Sequence, residues 1–254
     1  YPSYEAYCEV KGRIFSAQEK QDMAILNRAD PRVWAFRKSL AAQVVSFGWD
    51  EVDEGVFAPS GEIVWRGKGS EEKFPLARVN LQGVHNVENL MAVVCAAKAM
   101  GIDARFIQQS MESFPGIEHR HEFVREKDGV RFYNDSKGTN VGAVSKSLAS
   151  FTTPVILLAG GIDKGGDYRV LEQEVREKVK ALILFGSAKE IIRRALGHLT
   201  QTVVVDDLES AVREAIGHAV SGDTVLLSPA CSSFDMFENY EERGRVFKDL
   251  VHRL

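Results

Sequence analysis

Residues 117–254 alternate regularly between short apolar segments and amphipathic segments, and this alternation constrains the fold more than any other feature. Apolar strands separated by amphipathic helices are typical of a parallel sheet with helices on both faces. We therefore predict an α/β fold with a Rossmann-like, doubly wound, mostly parallel sheet. The predicted strands are Val130–Tyr133, Val155–Ala159, Ala181–Phe185, Thr202–Val205 and Thr224–Leu227. The predicted helices are Val141–Ser150, Tyr168–Val179, Ala188–Leu196, Leu208–Ala219 and Glu241–Arg253, and a hairpin is expected at Lys127–Gly129.

The first half of the chain has a less regular pattern. We predict strands at Met23–Leu26 and Gln43–Phe47, a helix at Pro31–Leu40 capped by Asp30, and short strands and turns through residues 50–80. Two helices follow, Asn86–Met100 and Ala104–Ser113, and Phe114-Pro115-Gly116 then interrupts the pattern. The sequence thus predicts two domains, 1–116 and 117–254. An amphipathic helix is expected at the start, with one face formed by Tyr4, Tyr7, Cys8, Lys11, Ile14 and Phe15.

Charge and composition argue against several classes of protein. The net charge is -4 and no basic cluster occurs, so we expect no nucleic-acid partner. No apolar run approaches the roughly 18 residues of a membrane span, and the first residues lack the features of a signal peptide. Three widely spaced cysteines, Cys8, Cys95 and Cys231, indicate reduced thiols. These features are typical of a cytoplasmic protein, and we expect a monomer.

Three polar turns directly follow predicted strands in the second half. They are Asn134–Asn140 (Asn-Asp-Ser-Lys-Gly-Thr-Asn), Gly160–Asp167 and Ser228–Asp235. The carboxyl ends of parallel strands meet at one edge of a sheet, where open α/β folds bind their ligands. Backbone N–H groups at the start of the helix after the first turn favour an anion. We therefore predict a site there for a substrate that contains phosphate or carboxylate.

Other motifs are incomplete or ambiguous. Gly67-Lys68-Gly69 is not a P-loop, because Gly69 stands where Ser or Thr is required. His119 and His121 could share a metal on a strand, although no third ligand is suitably spaced. Lys11 lies in the apolar face of the first helix. It either extends its ammonium into water or is buried with a lowered pKa, which would allow carbamate formation with carbon dioxide.

Several segments together resemble the Mur ligases, ATP-dependent enzymes that add amino acids to the peptidoglycan precursor. The Asn-Asp-Ser-Lys-x-Thr-Asn and Ser-Pro-Ala-Cys-x-Ser-Phe-Asp strings look most like the members that add D-glutamate. The resemblance implies the later part of a central ATP-binding domain, followed by the C-terminal amino-acid-binding domain. We expect a fragment that is inactive alone, without the uridine-nucleotide domain and P-loop of the family. The matching segments are Tyr7–Phe15, Gly83–Asn89, Phe114–His121, Asn134–Gly142, Leu158–Tyr168 and Leu226–Phe247.

The resemblance implies a reaction in two steps. ATP phosphorylates the carboxylate of UDP-N-acetylmuramoyl-L-alanine with the help of Mg²⁺, and the amine of D-glutamate then attacks the acyl phosphate. The implied catalytic residues are Lys11 (as a metal-binding carbamate), His119 and Lys137, and the implied nucleotide contacts are Asn86, Asn89, Arg120 and Asp135. The implied substrate contacts are Lys137, Thr139, Lys164 and Ser233, with Phe234 and Tyr240 lining the pocket. Position 240 is often Phe in the family.

Alternative interpretations remain open at this point. The two asparagines could instead cap a helix, and Arg120 and Asp135 could form salt bridges between domains. The chain could also belong to another amide ligase of the superfamily, of the folylpolyglutamate synthetase type. A third possibility is a non-catalytic module that binds a nucleotide or an amino acid.

Overall fold

A computed structural model describes residues 3–81 and 83–254 of the chain. The side chains of Tyr4, which belongs to the predicted apolar face, and of His85, which lies in the matched segment Gly83–Asn89, are outside this description. The chain divides between Pro115 and Gly116 into two compact units, called unit 1 and unit 2 below. No helix among the described residues is both long and apolar enough to cross a bilayer.

Unit 1 contains a mixed five-stranded sheet in the order β1-β2-β3-β4-β5. The pairs β1–β2 and β2–β3 are parallel, and the pairs β3–β4 and β4–β5 are antiparallel. The strands are β1 (Met23–Asn27), β2 (Gln43–Gly48), β3 (Gly55–Phe57), β4 (Glu62–Gly67) and β5 (Ser70–Pro75). The helices are α1 (Tyr4–Gly12), α2 (Pro31–Ala35), α3 (Val84–Ala99) and α4 (Ala104–Ser113). The core is a cluster of apolar side chains that includes Val56, Ile63, Phe74, Met91 and Val94.

One prediction in unit 1 needs correction, and one question that the sequence left open is answered. The predicted helix at Pro31–Leu40 is capped by Asp30 as expected, but α2 ends at Ala35 and continues only as a 3₁₀ turn, Phe36–Lys38. The predicted apolar face at the start of the chain is not buried among the described residues. Lys11 of α1 is exposed, and Ile14, in the 3₁₀ turn Arg13–Phe15 that follows α1, is 76% exposed. Periodicity therefore identified the helix, and Lys11 is exposed, as one of its two alternatives expects.

Unit 2 contains a six-stranded sheet in the order β10-β9-β8-β11-β7-β6, and only the pairing of β6 with β7 is antiparallel. The strands are β6 (Glu122–Lys127), β7 (Val130–Asn134), β8 (Val155–Gly160), β9 (Val179–Phe185), β10 (Gln201–Val204) and β11 (Thr224–Leu227). β6 and β7 form the hairpin expected at Asp128-Gly129. The prediction of an α/β fold with a doubly wound, mostly parallel sheet is confirmed.

Two apolar clusters cover the two faces of this sheet. Alternate side chains of β8 divide between them: Leu157 belongs to one cluster, whereas Ile156 and Leu158 belong to the other. The first cluster includes α5 (Val141–Ala149), α6 (Glu172–Lys178) and α7 (Lys189–Leu196), and the second includes α8 (Leu208–His218) and α9 (Tyr240–His252). The predicted helix Tyr168–Val179 is a 3₁₀ turn, Tyr168–Leu171, followed by α6.

The register of three adjacent strands places the candidate site. Asn134 at the end of β7 pairs with Leu227 at the end of β11, and Leu227 pairs with Leu158 of β8. Because these strands are parallel and in register, the turns that follow them leave the same edge of the sheet. The predicted convergence of the three polar turns is therefore observed.

Candidate functional site

The first turn (residues 134–140) and the third turn (residues 228–235) are joined by hydrogen bonds. The N–H of Asp135 donates to the carbonyl of Leu227 at 2.8 Å, and the N–H of Ala230 donates to the carbonyl of Gly138 at 2.8 Å. The hydroxyl of Ser228 donates to Oδ2 of Asp135 at 2.7 Å. These bonds hold the two turns side by side at the edge of the sheet.

The second turn (residues 160–167) is joined to the third turn in a similar way. The N–H of Gly160 donates to the carbonyl of Pro229 at 2.9 Å. Ile162 and Ser232 form an isolated antiparallel bridge, in which their N–H groups and carbonyls are exchanged at 2.9 and 3.1 Å. The three turns are thus one hydrogen-bonded assembly.

Arg243 donates hydrogen bonds to all three turns. It lies in α9, is fully buried, and donates from Nε to Oγ of Ser136 at 2.9 Å. Its guanidinium also donates to the carbonyls of Ser136 at 2.9 Å, Cys231 at 3.2 Å and Gly160 at 3.5 Å. Burial lowers the pKa of Arg243 to about 10. The planar guanidinium suits this arrangement because its donors point in several fixed directions.

Sequence reasoning missed Arg243. Its position on α9 offered one indication, since Arg243, Phe247 and Val251 follow at intervals of four residues and all are buried. An arginine within the apolar face of a helix is unusual unless its charge finds partners. The sequence could not show that these partners would be the three turns.

Lys137 and Tyr240 are brought together by the fold. The Nζ of Lys137 lies over the ring of Tyr240, 3.6 Å from its centroid, as a cation–π contact. The hydroxyl of Ser136 donates to the carbonyl of Tyr240 at 2.8 Å, which fixes the start of α9 next to the first turn. The ring of His119 meets Tyr240 edge-on, with centroids 6.2 Å apart. These three predicted site residues therefore form one cluster.

His119 is held as a neutral ring. It is 3% exposed, and its Nδ1 lies 2.9 Å from Nδ2 of Asn134. Because that amide nitrogen can only donate, Nδ1 of His119 accepts and the proton resides on Nε2. Burial lowers the pKa of His119, which favours the same neutral form.

The two histidines do not share a site. The nitrogens of His121 lie 3.1 Å from Oγ of Ser147 and 3.2 Å from Oγ of Ser150, whereas His119 contacts Asn134. No group of three His, Cys, Asp or Glu side chains that could hold a metal occurs in residues 3–81 and 83–254. The shared-metal alternative for His119 and His121 thus has no support in the structure.

Asp135 is a buried carboxylate at the end of β7. It is 7% exposed, and burial raises its pKa to about 6, although hydrogen bonds from Ser228 and from the N–H of His121 act in the opposite direction. A folded-state pKa above the ordinary value means that the native protein binds this proton more tightly than the unfolded chain does. The resulting stability is present below about pH 4 and is lost as the pH rises through about 6.

Asp135→Asn should therefore stabilise unit 2 at neutral pH. We expect the free energy of unfolding at pH 7.5 to rise by about 2 kcal/mol, because asparagine carries no charge to desolvate. Urea unfolding of the 254-residue chain at pH 7.5 and pH 4 measures this gain, which should disappear at the lower pH. Asp249→Asn, at an exposed position of α9, is the control and should change neither value. Equal gains in stability at both pH values would contradict the raised pKa of Asp135 as their cause.

The predicted substrate contacts lie on the three turns. Lys137 and Thr139 belong to the first turn, Lys164 to the second, and Ser233 and Phe234 to the third. Lys164 is exposed, Ser233 is buried at 2% exposure, and Phe234 is 69% exposed. The three turns that carry them start at the same edge of the sheet, and the roles of these residues stay predictions. Two lysines and two hydroxyls at one edge suit a ligand with more than one negative charge.

Comparison with known proteins agrees with this architecture. The family model of the Mur ligase middle domain matches residues 1–97, and that of the Mur ligase, glutamate ligase domain matches residues 119–231. The chain belongs to the Mur ligase family. Proteins named UDP-N-acetylmuramoylalanine--D-glutamate ligase from Geotalea uraniireducens and Syntrophus aciditrophicus are 49% and 44% identical over 100% and 98% of this chain. The chain spans 56% and 55% of their lengths.

Solved Mur ligase structures share the fold. A crystal structure of MurF from Acinetobacter baumannii matches 99% of this chain with a TM-score of 0.75 at 18% identity, and the match covers 56% of that protein. MurF ligase from Thermotoga maritima, crystallised in complex with ADP, matches all of this chain with a TM-score of 0.68 at 17% identity, over 59% of its own length. At these identities the similarity establishes the fold alone.

In unit 1 of this Mur ligase chain, the predicted nucleotide contacts occupy α3. Gly83 is the N-cap residue of α3, so Asn86 and Asn89 lie within the helix and neither is its N-cap residue. Asn89 is exposed and Asn86 is half-buried. In unit 2, Arg120 is exposed two residues before β6. The roles of these residues stay predictions.

Lys11 does not occupy a buried environment. It is exposed in the last turn of α1, with Nζ 5.3 Å from the centroid of the Tyr7 ring. Its role as a metal-binding carbamate stays a prediction.

Proposed function

We propose that this chain forms the middle-domain and C-terminal parts of an ATP-dependent ligase that adds D-glutamate to UDP-N-acetylmuramoyl-L-alanine in peptidoglycan synthesis. The observation that carries the proposal is the joining of the three polar turns, with Lys137, Thr139, Lys164 and Ser233, at one edge of the unit 2 sheet. The names of relatives at 44–49% identity support the same substrate. We place the reaction in the cytoplasm and propose a monomer.

The charges at this edge fit the proposed amino acid. D-glutamate has two carboxylates and an amine that must stay free to attack. Lys164, Thr139 and Ser233 hold the carboxylates in this proposal, and each charged hydrogen bond contributes about 1.5–3 kcal/mol. Phe234 and Tyr240 line the pocket and contact the apolar part of the substrate. Specificity arises because an amino acid without the second carboxylate would leave one of these polar groups unpaired.

Lys137 lies at the reacting centre of the proposed site. ATP transfers a phosphoryl group to the carboxylate of the L-alanine residue, and the D-glutamate amine displaces phosphate to form the amide, leaving ADP and phosphate. The ammonium of Lys137 stabilises the negative charge on the acyl phosphate. Tyr240 holds that ammonium in place through the cation–π contact. His119, which has a neutral ring, lies beside this centre.

The nucleotide contacts in this proposal are the four that the family resemblance implies. Asn86 and Asn89 contact ATP from α3, Arg120 faces its phosphates, and Asp135 faces its ribose. We propose that the remaining phosphate contacts, the uridine-nucleotide site and the other Mg²⁺ ligands are supplied by polypeptide outside this chain, which spans 55–56% of the length of its relatives. We expect Lys11 to join the Mg²⁺ ligands as a carbamate only when those parts are present.

ADP release by a longer polypeptide that includes this chain tests the proposal. We expect release to require both D-glutamate and UDP-N-acetylmuramoyl-L-alanine, and the 254-residue chain alone to give none. Lys164→Ala should lower kcat/KM for D-glutamate by roughly tenfold or more, the loss expected for one charged hydrogen bond. Lys68→Ala, at the exposed turn between β4 and β5, is the matched control. Release driven by L-glutamate and a folate would instead favour the folylpolyglutamate synthetase alternative.

A further inference from the structure

Tyr168 places a phenol hydroxyl inside the core of unit 2. It begins the 3₁₀ turn after the second turn, is 3% exposed, and packs in the same apolar cluster as Leu171, Val175 and Cys231. A buried hydroxyl costs free energy unless it finds hydrogen-bond partners. The partners of Tyr168 come from two different turns of the candidate site.

The hydroxyl of Tyr168 lies 2.8 Å from Oδ1 of Asp163 and 3.1 Å from Sγ of Cys231. A phenol has one proton, and the carboxylate of Asp163 can only accept, so Tyr168 donates to Asp163 and the thiol of Cys231 donates to Tyr168. Burial raises the pKa of both Tyr168 and Cys231, so both keep their protons at neutral pH. A continuous hydrogen-bonded chain thus connects the third turn to the second.

Both ends of this chain adjoin proposed substrate contacts. Asp163 directly precedes Lys164, and its Oδ1 also accepts the N–H of Gly165 at 3.1 Å, so the carboxylate closes a small loop around Lys164. Cys231 lies two residues before Ser233. The bridge between Ile162 and Ser232 supplies a second link between the same two turns.

We propose that Tyr168 is a positioning residue that fixes Lys164 relative to Ser233 and so sets the affinity for D-glutamate. The inference rests on the proposed function of this edge. Tyr168 itself points into the core and does not touch substrate. It acts through Asp163 on one side and Cys231 on the other, and therefore binding of the amino acid depends on it more than the chemical step does.

Tyr168→Phe in the longer polypeptide tests the proposal, because phenylalanine retains the ring and its packing. We expect KM for D-glutamate to rise by about five- to tenfold, because the ammonium of Lys164 would no longer be held in position to bind a carboxylate of the substrate. We expect kcat and KM for ATP to change by less than about twofold. An unchanged KM for D-glutamate would overturn the proposal. An equal loss in kcat with no change in KM would also overturn it.

Variants of Asp163 show whether Tyr168 acts through that carboxylate. Asp163→Ala should raise KM for D-glutamate as Tyr168→Phe does, and the double variant should be no worse than either single variant. Asp163→Asn keeps an oxygen that accepts from the phenol and should restore most of the affinity. Additive effects of the two single changes, or an Asp163→Asn variant as impaired as Asp163→Ala, would contradict the link.

Amide hydrogen exchange in the 254-residue chain tests the link without any catalysis. In Tyr168→Phe, the amides of residues 162–165 should exchange faster than in the unaltered chain, because Asp163 has lost its anchor. Unchanged exchange would overturn the positioning role even if the ligase assignment is correct. Faster exchange, combined with ADP release that does not depend on D-glutamate, would confirm that Tyr168 holds the loop of Lys164 through Asp163 and would reject D-glutamate as the substrate.

Discussion

Gly160→Ala is expected to destabilise unit 2 by about 3 kcal/mol or more, which is the range for severe overpacking of a core with added backbone strain. Gly160 is the last residue of β8 and has φ +141, a conformation that side chains rarely adopt. A Cβ atom there would lie 1.8 Å from the backbone carbonyl oxygen of Phe185 at the end of β9. Neither strand can move aside without breaking the pairing between β8 and β9 at the site.

Far-UV circular dichroism during urea unfolding of the 254-residue chain measures this loss. All three tryptophans, Trp34, Trp49 and Trp65, lie in unit 1, so tryptophan fluorescence follows the unfolding of unit 1 separately. We expect the transition of unit 2 to shift to lower urea, or the variant to be insoluble, while the fluorescence transition of unit 1 changes little.

Gly165→Ala is the matched control for Gly160→Ala. Gly165 also has a positive φ, +75, but a Cβ atom there would meet nothing within 4 Å. The change should therefore cost only the backbone strain of a left-handed residue, about 1 kcal/mol. If the two variants are equally stable, the close approach of β9 to Gly160 is not the reason for glycine at that position.

Arg243→Met is expected to damage the stability of unit 2 and, in the longer polypeptide, the proposed ligase activity. It would leave the carbonyls of Ser136 and Cys231 buried without their donor, and each unsatisfied polar group costs about 1–3 kcal/mol. We expect a loss of about 3 kcal/mol in the free energy of unfolding, since methionine recovers some packing. Because the three turns lose their common anchor, kcat/KM of the longer polypeptide for D-glutamate should fall roughly a hundredfold.

Two further substitutions test whether the guanidinium of Arg243 is the cause of these losses. Arg245→Met, at an exposed position two residues further along α9, is the matched control and should leave unfolding and kcat/KM close to those of the unaltered protein. Arg243→Lys keeps the charge but not the planar set of donors, so it should be intermediate. An Arg243→Met variant indistinguishable from Arg245→Met would show that the buried guanidinium does not organise the site.

Much of unit 2 was predictable from residue order because local physics determines it. Apolar segments of four to seven residues separated by amphipathic helices define strands β8 to β11 and their helices, and parallel pairing follows from the crossovers. The same rule placed the turns after β7, β8 and β11 at one edge. The 3₁₀ turn at Tyr168–Leu171 was mistaken for helix, because its side-chain spacing differs little from that of α6.

The contacts that organise the site were not predictable, because their partners are far apart in the chain. Arg243 lies 107 residues from Ser136, and Tyr168 lies 63 residues from Cys231. Nothing in the local pattern around Arg243 or Tyr168 specifies which distant polar group will satisfy a buried donor. The sequence left the environment of Lys11 open for the same reason, since periodicity cannot say whether an apolar face is covered.

The sequence by itself determined the elements, the doubly wound sheet of unit 2 and the identity of the polar turns, because strand and helix periodicity act over a few residues. Its motifs also determined the family resemblance. Only the tertiary structure decided that a buried arginine anchors all three turns, that His119 is neutral, and that a phenol connects the loops of Lys164 and Ser233. These features depend on burial and on non-local hydrogen bonds, which exist only once the chain has folded.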